Sequence, residues 1–354
     1  MIEYNFEGIA KAAAEVEAGG DHLEAVKRWL PQILEPQIHN IQTPIASTKK
    51  LKAAVFNMEQ GHYSSLVSAY FKFAPHLKDV DVILANEIDC GMARTGNRNV
   101  ADEIARALGM NYVFANEFLS RKAYSEGNET GLHGNAVFSR YPIKRATVVE
   151  LDVEYDWFHW ESDPRLGLRN AVLAEIEVDG HIIGLVSVHL ENRTSPEGRR
   201  RQLATVFDAV DQYFGASTPI LLGGDLNTNG FTARGGVGPE LRWLADNPGE
   251  QWAWMGSVPE HEPIFELAAS RGYDYAGCNV MNKPTRRNVI KDGSIVLLNL
   301  DWFFSRGLEC SHPLRVESIF RSKVLVEPDA DYSGLTGQEM SDHDVILVEA
   351  KTAS

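Results

Sequence analysis

The chain has 354 residues, 44% of them hydrophobic and 23% charged, a balance ordinary for a soluble globular protein with ample length for a substantial core. A formal net charge of −15 weighs against broad electrostatic adhesion to nucleic acid or anionic membranes, while leaving room for a local basic track or a site where a divalent cation supplies the positive charge. Apolar runs such as "DVILA" and "IVLLNL" are too short to span a bilayer, and the N-terminus carries early acidic residues without an apolar secretory core. Cys90, Cys278 and Cys310 are scattered, odd in number and without metal-type spacing. They point to a reducing, cytoplasmic setting rather than a disulfide scaffold.

Residues 1–48 read as an N-terminal helical appendage packed on the main body. "DHLEAVKRWLPQILEPQI" is its clearest piece, and Pro31 breaks or restarts the helix. From residue 49 to 354 the pattern changes to many short strands with helices between them. "LKAAVFN" and "DVDVILANE" are strand-like, separated by a helical stretch from about Ser64 to Leu77. The amphipathic "VADEIARALGM" precedes the strand "NYVFAN". Then come "GNAVFSR", "NAVLAEIEVDG" and "HIIGLVSVHL", where "VDGH" is the turn of a hairpin. "TSPEGRRRQLATVFDAVDQYF" opens with Thr194, Pro196 and Glu197 as cap and first turn. Its Leu203, Val206, Phe207 and Val210 follow the spacing of a helix lying on a core. After "PILLGGDLN", a less regular region rich in Gly, Pro and Trp precedes the last strands, "LLNLDWFFSR" and "HDVILVEA". Hairpins with intervening helices predict a mixed α/β fold in which two mostly antiparallel sheets face one another, helices outside.

Polar residues collect at the ends of these strands. "AVFNMEQ" ends in Asn57 with Glu59 two further on, "VILANEID" in Glu87, "GLVSVHLENR" in His189 and "PILLGGDLN" in Asp225 and Asn227. "LNLDWFF" carries Asp301 inside an apolar run, and "SDHDVILVE" starts with Asp342 and His343. Singly, an Asn or Asp after a strand is most often a turn former, and a lone His a packing residue. Their recurrence at one edge points to a site. Carboxylate and amide oxygens without thiolates select a hard cation, Mg²⁺ or Mn²⁺, which would neutralise a phosphoryl oxygen. His343 exchanges protons near neutral pH once an acid orients it, and Asp301 is the candidate for that role. Asp225 and Asn227 then position the attacking water and the scissile phosphate.

The ordered set "FN", "NE", "GNAVFSRYPI", "HLENR", "GGDLN", "LDWFF" and "SDHD" resembles the endonuclease/exonuclease/phosphatase superfamily, the group of pancreatic deoxyribonuclease, over roughly residues 50–350. The resemblance implies a four-layer αββα sandwich. It also implies Asn57, Glu87 and Asp342 as metal ligands, with Glu59 as an additional acid near the metal, and His189 as a phosphate-binding histidine. His343 corresponds to the catalytic histidine of the terminal motif. Asn135, near the phosphate end of such sites, becomes a substrate-binding candidate. The one departure, Asn86 where the family commonly has Gln, is expected to matter little, because the residue before Glu87 should face the other side of the strand.

Around this edge each segment carries two readings. Arg193 is a candidate phosphate clamp, while Arg199, Arg200 and Arg201 read at least as well as a solvated helix start. Lys283, Arg286, Arg287 and Lys291 either flank the cleft and steer an anionic substrate or form a solvated loop. Trp157, Phe158 and Trp160 read first as a buried edge strand and second as a stacking surface. The leading expectation is a Mg²⁺-dependent hydrolase of phosphodiester bonds in nucleic acid or nucleotides, needing neither membrane insertion nor an obligate protein partner. The alternatives are an enzyme acting on a lipid, inositol or sugar phosphate, and a catalytically inactive binding protein of the same fold.

Overall fold

The computed structural model describes residues 6–42, 50–120, 127–160, 163–231, 238–320 and 337–352. Helices α1 (Phe6–Glu17) and α2 (His22–Trp29) lead into the short strand β1 (Gln37–His39). Strand β2 (Leu51–Asn57), helix α3 (Ser64–Phe73) and strand β3 (Val82–Cys90) form a βαβ unit. Next come α4 (Val100–Leu108), β4 (Asn111–Ser120), β5 (Leu132–Ser139), β6 (Arg145–Glu150) and β7 (Arg165–Gly167). The hairpin of β8 (Asn170–Val178) and β9 (His181–Val188) turns at Asp179 and Gly180, both at positive φ, as its Asp-Gly sequence requires. Helix α5 (Pro196–Phe214) then crosses to β10 (Ile220–Asp225). Helices α6 (Gly238–Asp246), α7 (Pro248–Gly256), α8 (Val258–His261) and α9 (Ile264–Ser270) precede the hairpin of β11 (Arg286–Val289) and β12 (Ile295–Leu298). Strands β13 (Asp301–Arg306), β14 (Leu308–Val316) and β15 (Val345–Thr352) complete the order.

One sheet runs β1-β4-β5-β3-β2-β15-β14, with β7 also on β4, and the other runs β13-β10-β9-β8-β6. Their pairings are antiparallel except β2–β3 and β9–β10. A parallel pair needs a crossover, and α3 and α5 supply one to each sheet. The predicted sandwich of two mostly antiparallel sheets with helices outside is the observed architecture. Leu51, Ala53 and Val55 of β2 share one buried cluster with Leu221 of β10 and Phe303 of β13, between the sheets. Ala54 and Phe56 face α1 to α4, while Ile220, Leu222 and Phe304 face α5 and α9. Among the described residues, no helix is long and apolar enough to cross a membrane.

The irregular parts differ from expectation. The region expected to be helical holds α1 and α2, but Gln37–His39 is a strand paired with Tyr112–Phe114. The helical side chains Ala12, Ala25, Val26 and Leu30 lie in the same buried cluster as the body's first sheet. The cap of α5 is Ser195, whose Oγ accepts from Gly198 N; Thr194 Oγ1 instead donates to Glu154. Trp157 and Phe158 lie in a turn rather than an edge strand. Strand β14, "LECSHPLRV", has no unbroken alternation to announce it, and a bulge interrupts its pairing with β15.

Candidate active site

Asn57, Glu87, His189 and Asp225 all lie at or near the carboxyl ends of the two parallel pairs, where open α/β sheets place their ligands. Period-two alternation aims them. Asn57, Asp225 and Asp301 share parity with Val55, Leu221 and Phe303, which face the space between the sheets. The two glycines of "GGD" make this convergence possible. A Cβ on Gly223 would meet Val55 Cγ2 at 2.5 Å, and one on Gly224 would meet Val188 O at 1.8 Å. Gly224 also has φ 152°, a conformation that side chains avoid.

Asp225 sits between two imidazoles. Its Oδ2 lies 3.6 Å from Nε2 of His189 and 3.6 Å from Nε2 of His343. Each ring is backed by a buried acid: His343 Nδ1 lies 2.8 Å from Asp301 Oδ2, and His189 Nδ1 lies 3.3 Å from Glu117 Oε2. Burial works to lower the His343 pKa, but the carboxylates of Asp301, Asp225 and Asp342 outweigh it and push it up to about 10. Glu117 is held below the ordinary carboxylate range; burial opposes this, and His189 and Arg169 prevail. Arg169 is itself buried, with Nη1 2.8 Å from His189 Nδ1 and Nε 3.5 Å from Glu191 Oε2. The sequence reading missed Glu117 and Arg169. An acid inside the apolar "YVFANEFL" was a signal for Glu117 of the same kind that marked Asp301.

Asn86 overturns its expected role. Strand β3 bulges between Ala85 and Ile88, and Glu87 takes φ 55°, which is rare outside Gly, Asn and Asp. The extra residue turns both Asn86 and Glu87 toward the site. Asn86 Oδ1 accepts from Asp225 N at 2.8 Å, while its Nδ2 donates to Asn135 Oδ1 at 2.9 Å and Val188 O at 3.2 Å. Asn135 Nδ2 in turn donates to Asn170 Oδ1 at 2.9 Å. Asn135 is wholly buried with both amide atoms engaged, so it stands behind the site, in a string of amides that fixes the Asp225 backbone. Asn227, at φ 50°, adds to this: its N donates to Asp225 Oδ1 and its Nδ2 to Leu190 O, both at 2.9 Å.

Glu87, His189 and Asp225 each offer a donor atom within 4.8 Å of the others, as do Asp225, Asp301 and His343. Asn57 Nδ2 bridges Glu87 Oε1 at 3.1 Å and Asp225 Oδ2 at 3.0 Å, bringing two carboxylates together at one point. Clustered oxygen donors of this kind fit a hard divalent cation. Asn57 Oδ1 accepts from Glu59 N, while its Nδ2 faces the two carboxylates. Glu59 Oε2 accepts from Asp342 N at 3.0 Å; burial and the charge of Asp342 raise its pKa. Burial works to raise Glu87 as well, but the charges of His189 and His133 and the Asn57 amide hold it below the usual range.

The surrounding arginines divide sharply. Arg193 stacks on Tyr155 and Trp157, with its guanidinium 4.8 and 5.4 Å from the ring centres, and Nη1 donates to Tyr155 Oη at 2.8 Å. Arg286 is at the site, with Nε and Nη2 on Asp342 Oδ2 at 3.1 and 2.9 Å. Arg199 is neither clamp nor solvated: it is fully buried on Glu262. Arg200 and Arg201 pair at the surface with Glu197 and Glu154. Arg287 braces Glu339, Asp344 and Ser318. His133 is buried against Asp89, which also holds Arg94.

Comparison with known proteins identifies a family and a shared fold. The sequence matches the profile of the "Endonuclease/Exonuclease/phosphatase family" over residues 54–312. Among solved structures, an endonuclease/exonuclease/phosphatase from Beutenbergia cavernae is 16% identical with a TM-score of 0.50, covering 87% of this chain and 72% of its own. The human Nocturnin catalytic domain, solved with bound sulfate, is 15% identical with a TM-score of 0.51, covering 90% of this chain and 97% of its own. Truncated Caenorhabditis elegans TDP2 is 14% identical with a TM-score of 0.50, covering 86% of this chain and 98% of its own. At these identities the likeness is one of fold. No curated protein sequence matches this chain.

Proposed function

The chain belongs to the endonuclease/exonuclease/phosphatase family, and from that premise we propose that it is a metal-dependent hydrolase of phosphodiester bonds in nucleic acid or nucleotides. The observation that carries the reading is Asp225 held 3.6 Å from each of two histidines, each backed by its own buried acid. Such an arrangement can take a proton from water at Asp225 and hold a charged donor at His343. Asp225, its backbone fixed by Asn86 and its carboxylate by Asn227 N, orients and deprotonates the attacking water. His343, kept charged by Asp301, donates toward the phosphoryl oxygens, and His189 binds the same group. Glu87, Asp225 and Asp342, with Asn57 and Glu59 beside them, are the residues that would hold Mg²⁺ or Mn²⁺, whose chemistry when bound is to neutralise charge on a phosphoryl oxygen. Arg193 and Arg286, on an aromatic wall and at Asp342, support an anionic nucleotide substrate. Three unpaired thiols support a cytoplasmic setting.

The test is hydrolysis of a chromogenic phosphodiester and its matching monoester, with Mg²⁺, Mn²⁺ or EDTA. Diester cleavage should vanish in EDTA and fall by about 10²–10⁴-fold in His343→Ala, the cost of losing an acid–base group. Near-normal turnover in that variant would remove His343 from the reaction. A second reading, a lipid phosphate ester, is favoured by Trp243 and Trp252, 50% and 56% exposed on α6 and α7. Cleavage of phospholipid vesicles in preference to the soluble diester would select it.

A further inference from the structure

Beside Asn227 lies a cavity of about 150 Å³ whose polar lining is Asn192, Arg193, Asn227, Asn229, Arg286 and Asn288, with leucines completing it. In a chain of net charge −15, no carboxylate lines this space among the described residues. Arg193 is preset for an anion. Its guanidinium is held flat by Tyr155, Trp157 and Trp160, and it makes no ion pair among the described residues. Its one side-chain hydrogen bond there goes to a neutral hydroxyl. The half-buried cation therefore keeps most of its side-chain donors, and the nearby Glu191 carboxylate engages the Arg193 backbone N–H rather than its guanidinium. Arg286 is oriented by Asp342 through Nε and Nη2, which leaves Nη1 outside that pair. Planar guanidinium groups and amides together match the several oxygens of a phosphate.

The cavity is continuous with Asn227, whose N–H fixes Asp225, so its occupant lies next to the bond that Asp225 addresses. We propose that this is a second-phosphate subsite, and that the substrate carries a further phosphate adjacent to the one attacked. The inference rests on the phosphodiesterase reading for its position, but the subsite itself makes a prediction independent of turnover. The second phosphate is either a terminal group or the next link of a longer strand.

Calorimetric titration of the protein in EDTA with inorganic phosphate tests the subsite directly. Binding should weaken by about tenfold or more in Arg193→Gln and in Arg286→Gln, the loss of charge-assisted hydrogen bonds, and persist in the exposed control Arg200→Gln. Arg193→Lys, which keeps charge but loses the planar stack, should fall between, and melting curves for each variant confirm folding. No phosphate binding by the wild type, or equal binding in all variants, overturns the subsite. Hydrolysis of a dinucleotide, the same dinucleotide with a terminal phosphate, and a trinucleotide then identifies the source. A preference for the terminally phosphorylated compound, reduced in Arg193→Gln more than activity on the plain dinucleotide, assigns a terminal phosphate; a preference for the trinucleotide alone assigns the next link. Equal cleavage of all three overturns the proposal while the diesterase reading stands. Phosphate binding through Arg193 without cleavage of any of them upholds the subsite and sinks the diesterase reading.

Discussion

The bulge at Asn86 and Glu87 is where single residues decide most. Without it, alternation would send Asn86 between the sheets and Glu87 toward the helices. With it, Glu87 reaches the Asn57 amide, and Asn86 stays to fix Asp225. Strain at Glu87 is tolerated because its neighbours over-determine it, as at other functional sites. Alternation in the sequence could not show this, since a bulge adds one residue to one strand and leaves no compositional mark. The convergence of Asp225, Asp301 and His343 was legible because each interrupts, ends or begins an apolar run. The amide string behind them was not, because its members look like turn formers. Asn86→Leu, close in volume, should leave Asp225 N, Asn135 Oδ1 and Val188 O unpaired, at about 1–3 kcal/mol for each buried group. Urea unfolding should therefore show a loss of several kcal/mol, and turnover should fall further than folding alone explains. Unchanged stability would mean those groups find other partners.

Among the elements, α5 shows how a helix positions the site from outside it. Its apolar face was readable as Leu203, Val206, Phe207 and Val210, all buried against the second sheet. Its first turn was not, because a run of arginines after a cap looks like solvated surface. Arg199 instead lies wholly buried, with Nε 3.0 Å from Glu262 Oε2 and Nη1 3.0 Å from Thr194 O. Nη2 reaches Asn229 Oδ1 at 3.4 Å, and Glu262 Oε1 accepts from Gly230 N at 2.7 Å. The pair thus ties the start of α5 to the loop after Asp225. Removing one member of a buried pair costs about 3–5 kcal/mol, so Arg199→Ala should destabilise by that order near neutral pH. Burial already raises the Glu262 pKa even with Arg199 present, and losing the cation raises it further. Protonated Glu262 needs no counter-charge, so the penalty should shrink as pH falls through its raised pKa. Melting the variant and the wild type across pH 5–8 checks the sign; a penalty that grows on acidification would contradict it.

At the scale of the whole molecule, the N-terminal segment is bound into both the core and the aromatic wall beneath Arg193. Val26, Leu30 and Ile33 are at most 2% exposed and share a cluster with Tyr112, Phe114 and Phe138. Each such side chain contributes about 1.5–3 kcal/mol when buried, so the three together approach the 5–15 kcal/mol that typically separates folded from unfolded chains. His22 extends the connection. Its Nε2 accepts from Gly167 N at 3.0 Å and its ring packs edge-on to Phe158, beside Trp157, on which Arg193 rests. Asn40 adds paired bonds to Ile143 N and O at 2.9 Å. We therefore expect deletion of residues 1–36, which spares β1, to lower the melting temperature sharply and to weaken phosphate binding in EDTA through the loosened aromatic wall. An appendage resting on an independent body would leave both unchanged. A truncated chain that melts like the full one but binds phosphate less well would separate the two roles, placing the segment's contribution at Arg193 rather than in the core.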